Sequence, residues 1–371
     1  MEKILKQTTV RYQNIDALRG LAALYVIFGH ALNWYFLNIS PDVGFSFEWL
    51  KQLTSALAGV FLFFAISGYV IPSSFQGDGY EGAHRFVIRR FFRLYPLFWV
   101  SVLPSVIHYC RVANPAYSLE TILCNFTMVP SLFNQGFVVG VYWTLVHELL
   151  FYALCLLLHC VGWMQQSQKI SLLILITGLS HWLLRFGQWI GLWSGGSTFF
   201  QKTVLICLSV MLWGALWRCF LDKKCRGILD KIALVFIPVQ SLILVICRPF
   251  YSQAAAKLHF PISFAVSIAL GLAIFMLGTT GMKIRSRVLI WYGKVSYSLY
   301  LFHMLVILYV ARFFAHFYSH VPSFTLFILV VLAGSSLIGI IGYYFIERPS
   351  IAFGKRLTDL SIHARLAKKD A

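Results

Sequence analysis

The sequence predicts an all-α, polytopic membrane protein with about ten transmembrane helices and both termini in the cytoplasm. Its composition is the first reason: 59% of the 371 residues are hydrophobic and only 12% are charged, whereas soluble proteins average about 25% charged residues. The mean hydropathy is correspondingly high, at +0.75. Long apolar runs also recur from residue 15 to residue 345 with short polar gaps, and each run has about the length that crosses a bilayer.

The individual spans follow from runs of about 20 apolar residues. We predict them near residues 15–37, 53–71, 91–109, 142–161, 170–190, 203–220, 228–247, 260–280, 288–314 and 324–346. The ninth span contains the polar sequence WYGKVS near its start, which indicates an interfacial turn. We expect one transmembrane domain over residues 1–371, with a core at 14–350 and a basic cytoplasmic tail at 351–371.

The basic charge of the chain indicates topology. The formal net charge is +18, which on a soluble chain would suggest a nucleic-acid partner. With the N-terminus in the cytoplasm, ten spans place 24 of the 31 Lys and Arg residues on the cytoplasmic side. Such asymmetry is typical of the positive-inside rule. We therefore expect the lipid bilayer, and no nucleic acid, as the partner of these charges.

The first span carries two ionisable residues, Arg19 and His30, within LRGLAALYVIFGHALNWYF. Eleven steps of about 100° bring both side chains to one helix face, about 16 Å apart along the axis. Ionisable groups inside a membrane usually face a cavity or a partner. The alternative is an arginine that extends to the interface and a core histidine with one hydrogen bond.

The fourth span contains a second pair, His147 and Glu148, in VYWTLVHELLFY. Consecutive residues point about 100° apart on a helix, so only one of the two can face a given wall. Glu148 is expected at a depth similar to that of His30, where a carboxylate can orient an imidazole that acts as a base. The alternative is a structural glutamate that pairs with an arginine.

Four arginines precede or begin the third span in HRFVIRRFFRLYPLFW: Arg85, Arg89, Arg90 and Arg93. Such a cluster is typical of a positive-inside anchor. It also suits a phosphorylated cytosolic ligand, because arginine binds phosphate through two parallel hydrogen bonds.

The last two spans contribute further polar residues. VSYSLYLFHM carries Tyr297 and His303, and FIERPS carries Glu347 and Arg348. Taken singly, these fit interhelical hydrogen bonds, a core histidine and a solvated helix end.

The eight cysteines show no C-x-x-C pattern or zinc-ligand spacing, so no metal is expected. Cys110 and Cys124 flank a loop and can pair only if that loop faces an oxidising compartment.

The order of these motifs resembles the acyltransferase-3 family of integral membrane acyltransferases over nearly the whole chain. Each motif is weak alone, but six occur in the family's order. The matching segments are IDALRGLAALYVIFGH with Asp16, Arg19 and His30, GVFLFFAISGYV with Ser67 and Gly68, RRFFRLYPLFW with Arg90 and Arg93, WTLVHELLFY with Trp143 and Glu148, SYSLYLFH, and ERP.

The resemblance implies an enzyme of the bacterial inner (plasma) membrane. Such an enzyme moves an acyl group, typically acetyl, from cytoplasmic acetyl-CoA or another acyl-CoA to a hydroxyl of an extracytoplasmic carbohydrate. The acceptor can be O-antigen, an exopolysaccharide or an oligosaccharide. The alternative function is a proton-coupled transporter or flippase for a glycan precursor, in which His30, Glu148 and His303 form a proton relay.

The resemblance also implies roles for residues. It assigns catalysis to His30, and it implies that arginines of the matched motifs, Arg19, Arg90 and Arg93, serve the CoA side. From the residues themselves we add Glu148 as the catalytic partner of His30, either by direct transfer or through an acyl-histidine, and Arg85 as a further contact to the CoA phosphates. We expect substrate contacts from Trp143, Tyr142, Asp16, Ser67, Tyr297 and His303, although Trp143 and Tyr142 also fit an interfacial aromatic belt.

Overall fold

The computed structural model of the chain describes residues 2–39, 55–75, 77, 79–112, 117–189, 192, 199–246, 262–281, 283–317 and 322–369. Side chains are described from Gln13 to Leu360, apart from those of residues 109–112, 185, 188–189, 199–200, 202, 244 and 262. Every regular element in these ranges is helical. The α-helices are α1 (Glu2–Trp34), α2 (Leu57–Val70), α3 (Gly79–Val112), α4 (Leu119–Phe126), α5 (Trp143–Cys160), α6 (Ser167–Trp189), α7 (Phe199–Leu221), α8 (Ile228–Ile246), α9 (Ile262–Thr280), α10 (Arg287–Lys294), α11 (Ser296–Phe317), α12 (Phe324–Gly342) and α13 (Arg348–Lys369).

The predicted all-α membrane fold is confirmed. Each of the ten predicted spans falls on a helix, and eight helical segments of the described chain are long and apolar enough to cross a membrane. Two predicted spans, at α6 and α8, are helical but lie outside those eight. The expected interruption of the ninth span is present, since α10 ends at Lys294 and α11 begins at Ser296.

The helix α2 lies at the centre of the fold and packs against α1, α7 and α9. Its sequence, LAGVFLFFAISGYV, is apolar on every face. A helix without a polar face is expected to be surrounded by other elements, and most of its side chains are buried.

Glycines allow the helix backbones to approach closely. A Cβ atom on Gly293 of α10 would overlap the Asp16 carbonyl oxygen of α1, and one on Gly68 of α2 would overlap the Met211 carbonyl oxygen of α7. Small residues at such crossings are typical of helix packing in membranes. The contact between α1 and α10 sets the position of Arg19, which lies one turn after Asp16.

The C-terminal region forms one long helical run. A π-helical segment, Tyr343–Glu347, joins α12 to α13. The run from Phe324 to Lys369 is about 70 Å long at about 1.5 Å per residue, more than twice the hydrocarbon thickness of a bilayer. Arg89 of α3 pairs with Asp359 of α13 at 3.1 Å, so the region predicted as a basic tail is helical and docked on α3.

The suggested pairing of Cys110 with Cys124 involves a side chain, that of Cys110, which lies outside the described residues.

Candidate active site

A narrow cavity of about 70 Å³ lies between α1, α2, α3, α5 and α11. Five of the residues predicted for the site line it: Arg19, Ser67, Arg93, Glu148 and Tyr297. The remaining lining residues are Val60, Phe63, Phe64, Leu94, Thr144, Leu145, Ser296 and Tyr300. Residues from five separate stretches of sequence therefore share one polar pocket inside an apolar bundle.

The two arginines of the cavity have electrostatic neighbours but no direct hydrogen bond. Arg19 interacts with Arg93, Asp16 and Glu148. Neither guanidinium donates a hydrogen bond to any described residue. Two cations at an internal cavity, with their donors available, create a site that favours a polar or anionic ligand.

Glu148 is held by its own helix. The Tyr152 hydroxyl, one turn along α5, donates a hydrogen bond of 2.5 Å to Glu148 Oε1. The guanidinium of Arg90 lies over the Tyr152 ring at 5.2 Å and donates to Ser74 Oγ at 2.7 Å. Arg90 therefore lies behind Tyr152, and among the arginines of the predicted cluster it is Arg93 that lines the cavity.

Glu347 is a site residue that the sequence interpretation missed. We interpreted it as part of a solvated helix end, but it is 1% exposed. It accepts a hydrogen bond of 2.6 Å from Ser298 Oγ and is the principal electrostatic partner of Arg93. The sequence contained one indication of this role. No Asp or Glu occurs between Asp230 and Glu347, so few carboxylates other than Glu347 are available as counter-ions for the buried arginines.

The structure gives His30 a different neighbour from the expected one. Its ring lies against that of His303, with the centroids 5.3 Å apart. His30 is half-buried, and it does not line the cavity that contains Glu148. The expected meeting of His30 with Glu148 is therefore corrected. The depth of a residue can be estimated from its span, but the helix that faces it cannot.

Both ring nitrogens of His147, the residue before Glu148, contact hydrogen-bonding groups inside the bundle. His147 is buried, with Nδ1 2.8 Å from the Trp143 carbonyl oxygen and Nε2 3.1 Å from Thr203 Oγ1 on α7. Glu148 faces the cavity while His147 faces α7, as the 100° separation predicts.

Three other predicted residues, Arg85, Tyr142 and Trp143, do not line the cavity. Arg85 forms an ion pair of 2.5 Å with Glu81, which is partly exposed. Tyr142 is 1% exposed and donates to Ser101 Oγ at 2.9 Å. Trp143 is half-buried, with its ring 6.4 Å from that of Phe64.

No cluster of three or more metal-ligating side chains occurs among the described residues.

Comparison with known proteins adds to this geometry. The model of the acyltransferase-3 family, described as an acyltransferase domain, matches residues 12–340. Nodulation protein 10 of Rhizobium leguminosarum bv. viciae is 27% identical over 194 residues, which cover 46% of this chain and 50% of that protein. Protein 2 in the picA locus of Rhizobium radiobacter is 32% identical over 91 residues, 24% of this chain and 40% of that protein. The alignments thus span half or less of these curated relatives. No solved structure gives a significant match.

Proposed function

Because the chain belongs to the acyltransferase-3 family, we propose that it is a membrane-bound O-acyltransferase of the bacterial inner membrane. The donor is a cytoplasmic acyl-CoA, with acetyl-CoA as the first choice. The acceptor is a hydroxyl of a carbohydrate on the opposite side of the membrane, namely O-antigen, an exopolysaccharide or an oligosaccharide. The many apolar helices and the family support the coarser statement, a multi-pass membrane acyltransferase.

One observation carries the donor assignment: Arg19 and Arg93 line an internal cavity, and neither donates a hydrogen bond to a described residue. An arginine in a membrane interior is costly unless it meets a partner. The amide carbonyls and the phosphates of an acyl-CoA are acceptors that guanidinium groups recognise.

The arginines of α3 suggest a path for the donor. Arg85, which pairs with the exposed Glu81, comes first along α3 and is followed by Arg90 and then Arg93. In this proposal the nucleotide stays at Arg85 and Arg90 while the pantetheine arm runs past Arg93 and Arg19.

His30 is the proposed general base. It lies about 16 Å beyond Arg19 along α1. One imidazole nitrogen takes the proton of the acceptor hydroxyl as the oxygen attacks the thioester carbonyl carbon. The new C–O bond forms, the C–S bond breaks, and the proton passes to the leaving thiolate. The products are the carbohydrate ester and free CoA thiol.

Glu148 takes a revised role in this scheme. Its neighbours are Tyr152, Arg19 and Arg93, so it orients the arginines that hold the donor.

The test is the reaction itself. Purified protein in nanodiscs receives isotope-labelled acetyl-CoA and each of the three carbohydrate classes, and mass spectrometry looks for the labelled ester. We expect label on one sugar and none with His30→Ala, which should remain monodisperse on size exclusion. Unimpaired transfer by His30→Ala would contradict the role of His30. Transport of the glycan without any ester would favour a transporter.

A further inference from the structure

His303 of α11 is a buried histidine with one unsatisfied nitrogen. Its side chain is 0% exposed. Its Nδ1 lies 2.7 Å from the Tyr300 carbonyl oxygen. Its Nε2 is buried and has no hydrogen-bond partner among the described residues. An unpaired polar atom at such a site destabilises the fold, so it calls for a specific explanation.

The hydrogen bond to Tyr300 fixes the tautomer of His303. A carbonyl oxygen can only accept a hydrogen bond, so Nδ1 must carry the hydrogen. In the neutral ring, Nε2 then has a lone pair and no hydrogen. The unsatisfied atom of His303 is therefore an acceptor that lacks a donor.

The neighbouring tyrosine cannot supply that donor. The Tyr300 hydroxyl has one hydrogen, which it donates to the Val141 carbonyl oxygen at 2.5 Å. The same hydroxyl is also hydrogen-bonded to Thr144 Oγ1 at 2.6 Å. The donor for His303 must come from another group.

His30 is the group in the right position. Two imidazoles joined by one N–H···N hydrogen bond have centroids about 5 Å apart, since each nitrogen lies about 1 Å from its centroid and the bond is about 3 Å long. The observed separation is 5.3 Å, with the rings tilted by 39°. The distance between the rings therefore matches the distance that such a bond requires.

We propose that His303 is a positioning residue for His30: its Nε2 accepts a hydrogen bond from a ring N–H of His30. This bond sets the tautomer and orientation of His30, so that its second nitrogen is free to take the acceptor proton. Orientation of a base by a third group is a recurrent arrangement in nucleophilic catalysis. The inference rests on the proposed function of His30, and it gives His303 the role that the sequence suggested for Glu148.

The test compares two polar variants of similar character. In His303→Gln, an oxygen can reach the place of Nε2. In His303→Asn, the shorter side chain can keep the bond to Tyr300 but cannot reach that place. We expect kcat to fall about 100-fold in His303→Asn and to recover to within about 10-fold of the native value in His303→Gln. The KM for acyl-CoA should stay within about twofold in both, because His303 does not line the donor cavity.

A control checks for general effects of changing a buried histidine. His181 of α6 is also buried and lies outside the site, so His181→Gln should keep the native kcat. Equal impairment of His303→Gln and His303→Asn in monodisperse protein would overturn the proposal, as would full activity of His303→Asn.

A second readout does not depend on the transferase reaction. Diethylpyrocarbonate modifies neutral imidazole nitrogens, and peptide mass spectrometry reports the rate at His30. A fixed tautomer keeps the free nitrogen available, so we expect slower modification of His30 in His303→Asn and the native rate in His303→Gln. An unchanged rate in His303→Asn would overturn the proposal. If the native protein transferred no acyl group, this readout would still decide whether His303 positions His30.

Discussion

Tyr152 donates a hydrogen bond of 2.5 Å to Glu148, one turn earlier on the same helix, and so fixes the carboxylate that lines the cavity. The guanidinium of Arg90 also lies over the face of the Tyr152 ring, in a cation–π contact. One tyrosine therefore connects the arginine next to the cavity with the carboxylate inside it.

Removal of the Tyr152 hydroxyl should loosen Glu148 and its arginine neighbours. A hydrogen bond to a charged group contributes about 1.5–3 kcal/mol, so we expect Tyr152→Phe to weaken acyl-CoA binding at least about 10-fold by calorimetry. Tyr95→Phe is the matched control, because that hydroxyl donates to the exposed Thr127 carbonyl oxygen. Equal affinities in the two variants would contradict this account of Glu148.

The arginines of α3 should differ in their contribution to donor binding. Arg93→Ala removes a guanidinium from the cavity, and we expect about 10- to 100-fold weaker acyl-CoA binding. Arg85→Ala removes the proposed nucleotide contact outside the cavity, and Arg85 is already shared with Glu81, so we expect a smaller loss of acyl-CoA affinity, about 2- to 5-fold. Arg218→Ala, which breaks a partly buried pair with Asp222 away from the cavity, is the control. A larger loss from Arg85→Ala than from Arg93→Ala would reverse the proposed donor path.

The carboxylate of Glu347 should stabilise the fold through Arg93. Glu347 is a buried carboxylate that accepts a hydrogen bond from Ser298 and attracts Arg93 without a direct ion pair. A hydrogen bond to a charged group contributes about 1.5–3 kcal/mol, so we expect Glu347→Gln to lower the thermal unfolding temperature. Glu347→Asp keeps the charge and should restore part of the loss. Glu120→Gln, at an exposed position, should unfold like the native protein. A native-like Glu347→Gln variant would mean that Arg93 does not depend on this carboxylate.

The contact between α1 and α10 should not accept a larger residue. In Gly293→Ala the new methyl group meets the Asp16 carbonyl oxygen, and overpacking costs about 1–3 kcal/mol. Gly136→Ala is the control, because nothing lies near the position of its added Cβ. Thermal unfolding in detergent measures both variants, and we expect only Gly293→Ala to lose stability. Similar unfolding temperatures in the two variants would show that α1 and α10 can move apart without a loss of stability.

Much of the site could be predicted from the sequences of single helices. The position of Arg19 inside the first span, the different directions of His147 and Glu148, and the interruption before Ser296 all follow from the 3.6-residue period and from polarity. Two residues have surroundings that the sequence did not predict, His30 and Glu347. Each depends on a helix distant in sequence, since His30 meets His303 and Glu347 meets Ser298 and Arg93.

The sequence by itself determined that this chain is a bundle of apolar helices, which segments form them, and the family to which its ordered motifs belong. The reason is local: apolar length and helical period are properties of each segment alone. Only the tertiary structure decided that Glu148 joins the arginines and that His30 joins His303. Which helices become neighbours depends on close backbone contacts, such as that of Gly293 with Asp16, summed over the whole bundle.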